Sequence, residues 1–273
     1  MLWVSDEWKD YEVLDTSNGE RLERWGKYIL VRPDPQVIWN TPHTAKEWKR
    51  YDARYIRSNT GGGHWSDHKL PERWQIRYKD YLTFNVKPMN FKHTGVFPEQ
   101  AANWDFIRDT VAEASAKRPV RVLNLFAYSG GATLAAAAGG AEVYHVDASK
   151  GMVAWAKENA QASGLADRKI HWIVDDCAKF IQREIRRGRK YDGIIMDPPS
   201  YGRGPSGEIW KMETSFYPFL EEVAKILSDD PLFVIINSYT TGLAPSAVSY
   251  AADVVFGSKH GGKCVAGDRK SVV

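Results

Sequence analysis

Short apolar runs alternate with amphipathic stretches over most of the chain beyond residue 98. The apolar runs predict strands, and the stretches around them predict helices. The predicted strands are Val120–Phe126, Glu142–Asp147, Lys169–Val174, Gly193–Met196 and Leu232–Ile236. The predicted helices are Glu99–Lys117, Ala132–Ala138, Lys150–Ser163, Ala178–Arg187, Glu208–Leu227 and Ser246–Phe256. This alternation is typical of an α/β fold with a doubly wound, Rossmann-like parallel sheet and helices on both faces.

The first ninety residues follow a different pattern. Two alternating runs, Trp74–Tyr78 and Leu82–Val86, flank Lys79-Asp80 and predict a β-hairpin. We therefore predict two domains, a small β-rich domain over residues 1–90 and an α/β domain over residues 91–273.

Seven of the eleven tryptophans lie in the predicted small domain: Trp3, Trp8, Trp25, Trp39, Trp48, Trp65 and Trp74. Several adjoin cations, as in Arg24-Trp25, Arg73-Trp74 and Trp48-Lys49-Arg50. Aromatic rings beside cations can stack on bases and contact phosphates. A small domain also needs large aromatic side chains to form any core. The sequence leaves both interpretations open.

Composition changes this picture little. Of the 273 residues, 43% are hydrophobic, which is enough for a substantial core. The net charge is +3, and this excess lies before Pro98, so charge supports a polyanionic partner only weakly. Two cysteines and scattered histidines predict neither a disulfide framework nor a metal site. The acidic start and the lack of an apolar run of about 18 residues predict a cytoplasmic protein without a membrane span.

The most informative segment is Val122–Gly131, VLNLFAYSGG, which precedes Asp147 by one helix and one strand. Doubly wound sheets hold adenosine-bearing cofactors with such a half-module. The dinucleotide fingerprint needs three spaced glycines, whereas Gly130 and Gly131 are adjacent. A sulfonium cofactor has no pyrophosphate to bind, so the turn favours S-adenosylmethionine (SAM) over NAD.

Three residues of this half-module are candidate cofactor contacts. Gly130 and Gly131 would let the backbone approach the methionine portion of SAM, although a plain tight turn would also use them. Asp147 ends its strand where a carboxylate can accept both ribose hydroxyls. Alternatively, Asp147 serves a purely structural role as the N-cap of the following helix.

Two acids follow the third predicted strand. A carboxylate at Asp175 or Asp176 can accept a hydrogen bond from the adenine amino group, and we favour Asp176. Cys177 would lie beside the adenine, as a small buried hydrophobic residue rather than a nucleophile.

The fourth predicted strand ends in Asp197-Pro198-Pro199-Ser200-Tyr201. Consecutive prolines fix a rigid, extended exit from the strand. The Asp197 carboxylate and the Pro198 carbonyl then face one spot as hydrogen-bond acceptors for a planar nitrogen group, and Tyr201 can stack on the same ring. A purely structural turn is the alternative. We predict Asp197, Pro198, Pro199 and Tyr201 as the catalytic residues.

Taken together, these motifs resemble those of class I SAM-dependent methyltransferases, and more narrowly the RlmI/RlmK-like group of large-subunit ribosomal RNA methyltransferases. VLNLFAYSGG resembles the cofactor loop of that group, and DPPSY resembles its catalytic loop. Residues Lys92–Asn103, KHTGVFPEQAAN, resemble the segment that closes over SAM. The resemblance implies further cofactor contacts in these segments and next to Asp147: Thr94, Phe97, Asn124, Phe126, Tyr128 and Ala148.

The chain departs from that group in two places that bear on chemistry. The resemblance implies that cytosine-C5 members of the group use a cysteine thiolate, near the end of the fourth or fifth strand, that adds to the base. Neither DPPSY nor Ile236-Asn237-Ser238-Tyr239 contains a cysteine. Ala101 stands where the group often has an arginine. We therefore expect methylation of a base nitrogen, with ribosomal RNA as the partner. A methyltransferase for a protein or small molecule, and a non-catalytic RNA-binding or assembly protein, are the alternatives.

Overall fold

The computed structural model describes residues 2–58, 62–66, 69–203, 207, 209–240, 242–257 and 260–271. The chain forms two compact units, an N-terminal unit containing Trp3–Ala102 and a C-terminal unit containing Asn103–Asp268. The boundary between them falls at Ala102, whereas the sequence placed it at residue 90.

The N-terminal unit is built mainly from antiparallel strands. In chain order they are β1 Leu2–Ser5, β2 Tyr11–Ser17, β3 Glu20–Trp25, β4 Tyr28–Pro33, β5 Ala53–Arg57, β6 Gly63–Trp65, β7 Trp74–Tyr78 and β8 Leu82–Val86. One five-stranded sheet has the order β2-β3-β4-β5-β6, and β7 and β8 form the hairpin at the bounds predicted from sequence. Short 3-10 turns cover Lys46–Lys49 and Pro98–Gln100.

The C-terminal unit alternates helices with parallel strands. In chain order the elements are α1 Ala101–Ser115, β9 Arg121–Leu125, α2 Gly131–Ala138, β10 Glu142–Asp147, α3 Lys150–Ala162, β11 Ile170–Val174, α4 Cys177–Arg186, β12 Gly193–Met196, β13 Tyr201–Arg203, β14 Ile209–Lys211, α5 Met212–Ala224, β15 Phe233–Ile236 and α6 Pro245–Ala252. A π-helical turn, Asp253–Gly257, follows α6, and β16 Asp268–Ser271 pairs with β1. None of the helices among the described residues is long and apolar enough to cross a lipid bilayer.

The central sheet has the strand order β11-β10-β9-β12-β15, with all four pairings parallel. The predicted α/β fold with a Rossmann-like parallel sheet and a β-rich N-terminal region is thus confirmed. The order reverses between β9 and β12, where open sheets of this kind form a crevice beyond the carboxyl ends of the strands.

One predicted element is wrong at its start. The helix predicted over Glu208–Leu227 begins only at Met212, and Glu208 lies outside the described residues. Ile209–Lys211 instead pairs with Tyr201–Arg203 as the antiparallel hairpin β13–β14. Ile209 and Trp210 directly precede a helical pattern, but pairing with the segment after Pro199 places them in a strand.

Candidate active site

The loop after β9, Phe126–Gly131, has a strained backbone. Phe126 and Tyr128 have φ angles of 53° and 50°, in the left-handed region that non-glycine residues seldom adopt. The Ala127 N–H donates to the Val146 carbonyl at 3.1 Å, and the Phe126 N–H donates to the Cys177 sulfur at 3.3 Å. Strain of this kind persists where the surroundings determine the conformation, and it concentrates at ligand-binding loops.

Both glycines of this loop are required by the packing of the protein itself. Gly130 has a φ of 91°, and a Cβ there would lie 3.0 Å from the Ala156 Cβ. A Cβ on Gly131 would lie 2.7 Å from the Trp104 ring. The sequence suggested close approach of the cofactor as the reason for these glycines, and the structure supplies an internal one.

The Asp147 carboxylate is held beside this loop at the end of β10. Its Oδ2 accepts from the Tyr128 N–H at 2.9 Å, and its Oδ1 accepts from the Ser149 N–H at 2.8 Å. Ser149, rather than Asp147, is the N-cap of α3, since its hydroxyl accepts from the Met152 N–H. Burial raises the pKa of Asp147, and the two backbone hydrogen bonds counteract part of that rise.

A buried polar network supports the loop from beneath. The Asn124 amide donates to the Thr133 hydroxyl at 2.9 Å, and that hydroxyl lies 2.9 Å from Nδ1 of His145. Burial lowers the pKa of His145 to about 3, so its ring is neutral at pH 7. The Thr133 hydroxyl has acceptor positions for the Asn124 amide and a further position toward Nδ1, so the three side chains form one continuous buried network. The predicted cofactor residue Asn124 is therefore committed to an internal contact.

The acids after β11 have separate partners. Asp175 forms an ion pair with Arg183, and Asp176 is the N-cap of α4, accepting from the Lys179 N–H at 2.9 Å. Only Asp176 of the two lines a cavity of about 410 Å³ between α4, α5 and β14. Cys177 is buried, and burial raises the pKa of its thiol far above neutral pH. Its thiolate is therefore negligible at pH 7.

The residues after β12 are fixed by the hairpin and by a neighbouring loop. The Trp210 indole N–H donates to the Pro199 carbonyl at 2.6 Å, and the Met212 N–H donates to the Ser200 carbonyl at 3.0 Å. The Ser200 and Thr240 hydroxyls lie 2.9 Å apart, which ties this loop to the loop after β15. The DPPSY segment is consequently held in one conformation.

Trp210 also connects the two candidate loops. Its ring packs against Phe126 of the β9 loop at 5.4 Å and against Phe219 of α5 at 5.3 Å, measured between ring centroids. Tyr201, by contrast, is 52% exposed, and its hydroxyl accepts from Nε of Arg203. The exposed ring is available for stacking, as the sequence-based prediction requires.

The predicted residues thus fall into two groups. Those in the C-terminal unit lie at or just beyond the carboxyl ends of strands of the central parallel sheet, and these ends share an edge: Asn124, Phe126, Tyr128, Gly130, Gly131, Asp147, Ala148, Asp175, Asp176, Cys177, Asp197, Pro198, Pro199 and Tyr201. Thr94 and Phe97 belong to the N-terminal unit, and their contact with a cofactor stays a prediction. The sequence analysis did not identify Trp210, Thr133 and His145 as supports of the candidate site, because their contacts form only in the folded chain.

Fold and site together define a class I methyltransferase architecture, and the comparisons with known proteins extend this. Residues 21–227 match the family model described as S-adenosylmethionine-dependent methyltransferase. The chain therefore belongs to the SAM-dependent methyltransferases, an enzyme family whose cofactor is SAM.

Individual relatives agree with this assignment. The solved SAM-dependent methyltransferase from Agrobacterium tumefaciens is 38% identical, with a TM-score of 0.87 over 92% of this chain and 80% of that one. A second solved structure, in complex with SAH, has a TM-score of 0.73 at 21% identity, over 92% of this chain and 67% of that one, and supports the fold.

Curated relatives include two bacterial methyltransferases. Ribosomal RNA large subunit methyltransferase K of Neisseria meningitidis is 32% identical over 145 residues, which is 52% of this chain and 40% of that protein. Methyltransferase K/L of Shewanella frigidimarina is 31% identical over 171 residues, 62% of this chain and 22% of that protein. The chain thus matches less than half the length of either protein.

Proposed function

We propose that this SAM-dependent methyltransferase methylates a nitrogen of an RNA base, with ribosomal RNA as the substrate. The observation that carries the proposal is the meeting of two loops at the reversal of strand order, the β9 loop beside Asp147 and the rigid DPPSY segment beside Trp210. The two curated relatives, both ribosomal RNA large subunit methyltransferases, support ribosomal RNA as the substrate.

The residues present fit SAM. Each Asp147 oxygen accepts one backbone N–H and retains a further acceptor position for a ribose hydroxyl. Asp176, which lines the cavity between α4, α5 and β14, is the residue that would accept from the adenine amino group. When bound, SAM supplies an electrophilic methyl group.

The chain itself has to position the nucleophile. In the proposed complex the Asp197 carboxylate and the Pro198 carbonyl accept the N–H groups of the target base, and the Tyr201 ring stacks on it. These contacts direct the nitrogen lone pair toward the methyl carbon, and such positioning supplies most of the rate. Pro199 acts indirectly, because its carbonyl is held by Trp210.

The burial and raised pKa of the two cysteines favour methylation of a nitrogen over methylation of cytosine C5. C5 methylation needs a thiolate that adds to the base. Cys177 is buried beneath the β9 loop, and burial raises the pKa of both Cys177 and the half-buried Cys264. Neither is poised as a nucleophile, whereas a nitrogen needs no covalent activation.

The cofactor assignment predicts the effect of Asp147→Ala. The substitution removes the acceptor for the ribose hydroxyls, and we expect the Kd for SAM to rise roughly 10- to 100-fold, the scale of hydrogen bonds to a charged group. Calorimetry with SAM and with NAD measures this, and Asp167→Ala, an exposed acid before β11, is the control. Tighter binding of NAD than of SAM, or an unchanged Kd in Asp147→Ala, would contradict the assignment.

The substrate assignment is tested by transfer of a radioactive methyl group. Purified protein is incubated with labelled SAM and either ribosomal RNA or total cell protein. Label in RNA nucleosides methylated at nitrogen is the expected result. Label in protein alone would favour a protein methyltransferase, and RNA binding without any label would favour a non-catalytic RNA-binding protein.

Trp210→Phe tests whether the hairpin orients the DPPSY segment. The substitution keeps an aromatic ring against Phe126 but removes the N–H that the Pro199 carbonyl accepts. We expect kcat to fall roughly three- to tenfold, the effect of one hydrogen bond, with little change in SAM affinity. Tyr217→Ala, at an exposed residue of α5 that does not line the cavity, is the control. A Trp210→Phe variant with the kcat of the natural chain would show that the hydrogen bond has no positioning role.

A further inference from the structure

The tryptophans of the N-terminal unit divide into two groups, which separates the interpretations that the sequence left open. Trp25 is completely buried, with the Arg32 guanidinium 4.9 Å from its ring, and it serves the core. Trp39 remains 45% exposed, and Ile38 beside it is 90% exposed. Both belong to residues 38–51, which we call the aromatic loop.

The aromatic loop is fixed along β2, the edge strand of the five-stranded sheet. The Trp39 indole N–H donates to the Thr16 carbonyl at 3.0 Å, and the Trp48 indole N–H donates to the Asp15 carboxylate at 2.7 Å. The Ser17 hydroxyl donates to the Thr41 carbonyl at 2.6 Å. Three consecutive strand residues therefore hold the loop in one conformation.

The loop presents aromatic rings in an ordered arrangement. His43 stacks on Trp48 with 4.1 Å between ring centroids and an interplanar angle of 11°. His43 is itself exposed, so its outer face ends the stack toward solvent. Rings that are anchored through their nitrogen atoms, with a face left open, can stack on bases without first losing much conformational freedom.

The charges around these rings are mainly positive. Lys46, Lys49 and Arg50 are exposed, and none of the three forms an ion pair with an acid in the part of the chain that the structure describes. Asp52 turns its carboxylate inward to accept from the Ile29 N–H at 2.7 Å. Within the loop the acid is Glu47, and the Asp15 carboxylate of β2 accepts from the Trp48 indole. Three exposed cations beside exposed rings complement a nucleic-acid backbone.

We propose that the aromatic loop is a docking surface for single-stranded RNA, with bases stacked on Trp39 and on the His43–Trp48 pair and phosphates bound by Lys46, Lys49 and Arg50. This inference rests on the proposed function in taking RNA as the substrate. It adds a contact on the N-terminal unit to those made by the methylation site.

The test measures binding of a single-stranded RNA of about 16 nucleotides to the full chain over a range of salt concentrations. The variant with Lys46→Ala, Lys49→Ala and Arg50→Ala loses three phosphate contacts. Its slope of log K against log salt is expected to be shallower by roughly 2, at about 0.7 per contact on single strands. Trp39→Ala is expected to weaken binding roughly 5- to 100-fold at one salt concentration.

Tyr250→Ala is the matched control, since Tyr250 is 74% exposed on α6 in the other unit, and it should bind RNA as the natural chain does. SAM calorimetry on each variant verifies that the cofactor site is intact. Natural chain that fails to bind RNA at any salt would remove the proposed RNA function. If the natural chain binds RNA and the loop variants bind it equally well and with the same salt slope, the docking surface alone is overturned. If the loop variants lose methylation of a protein while RNA binding is unchanged, the loop binds a protein partner and the RNA docking surface is overturned.

Discussion

Asp197→Ala is expected to lower kcat roughly 100- to 1000-fold while SAM binds almost as in the natural chain. Asp197 directly follows β12, and its N–H donates to the Leu125 carbonyl at 3.4 Å, so its backbone is tied to the strand that carries the cofactor loop. In the proposed complex its carboxylate accepts from the target base as positive charge develops on the attacking nitrogen. Removing one such preorganised group costs about two to three powers of ten in kcat.

Steady-state methylation of ribosomal RNA at saturating SAM and RNA measures kcat, and a single-turnover experiment verifies that the methyl-transfer step itself is slowed. Asp197→Asn separates charge from geometry, because the amide keeps one acceptor oxygen but carries no negative charge. We expect its kcat to lie between those of the natural chain and Asp197→Ala. Asp167→Ala should leave kcat unchanged. A kcat for Asp197→Ala equal to that of the natural chain would show that another group positions the base.

The sequence predicted the central sheet well because its signals are local. Each buried strand is a short apolar run, and two of the five, Glu142–Asp147 and Gly193–Met196, have the predicted bounds. In the N-terminal unit only the β7–β8 hairpin was predicted. The β2–β6 sheet includes a parallel pairing of β4 with β5 and a β-bulge between Val13 and Asp15, neither of which leaves a clear alternation in sequence.

The candidate site shows the same division. Asp147, Gly130 and the DPPSY segment could be named as candidates from the sequence because a strand followed by a turn or an acid is a pattern of neighbouring residues. The reason for Gly131 was not accessible, because Trp104 lies 27 positions earlier in the chain. Trp210 likewise reaches Pro199 only because β13 and β14 pair, and the helical interpretation of residues 208–211 concealed that pairing.

Glu23→Ala is expected to lower the free energy of unfolding by roughly 3 to 5 kcal/mol, the usual effect of breaking a buried ion pair. Glu23 is fully buried in β3, and both of its oxygens accept from the Arg32 guanidinium, at 2.5 and 2.7 Å. The Tyr11 hydroxyl donates to the same carboxylate at 2.7 Å. The variant leaves the Arg32 charge buried without its partner. Glu12→Ala is the matched control, because Glu12 pairs with Arg24 in an exposed bridge, which contributes about 1 kcal/mol or less.

The same carboxylate predicts how stability depends on pH. Burial alone would raise the pKa of Glu23, but the charge and hydrogen bonds of Arg32 outweigh it and hold the pKa at about 2, below the ordinary value of 4.5. A group whose pKa is lower in the folded chain contributes its full stability above the unfolded value, so this contribution is complete above pH 4.5 and is lost as the pH falls toward 2. The difference corresponds to about 3 kcal/mol. Urea unfolding at a series of pH values should show this loss in the natural chain and a smaller loss in Glu23→Gln, which has no proton to bind at this position. Equal acid sensitivity in the two chains would mean that Glu23 is not the group responsible.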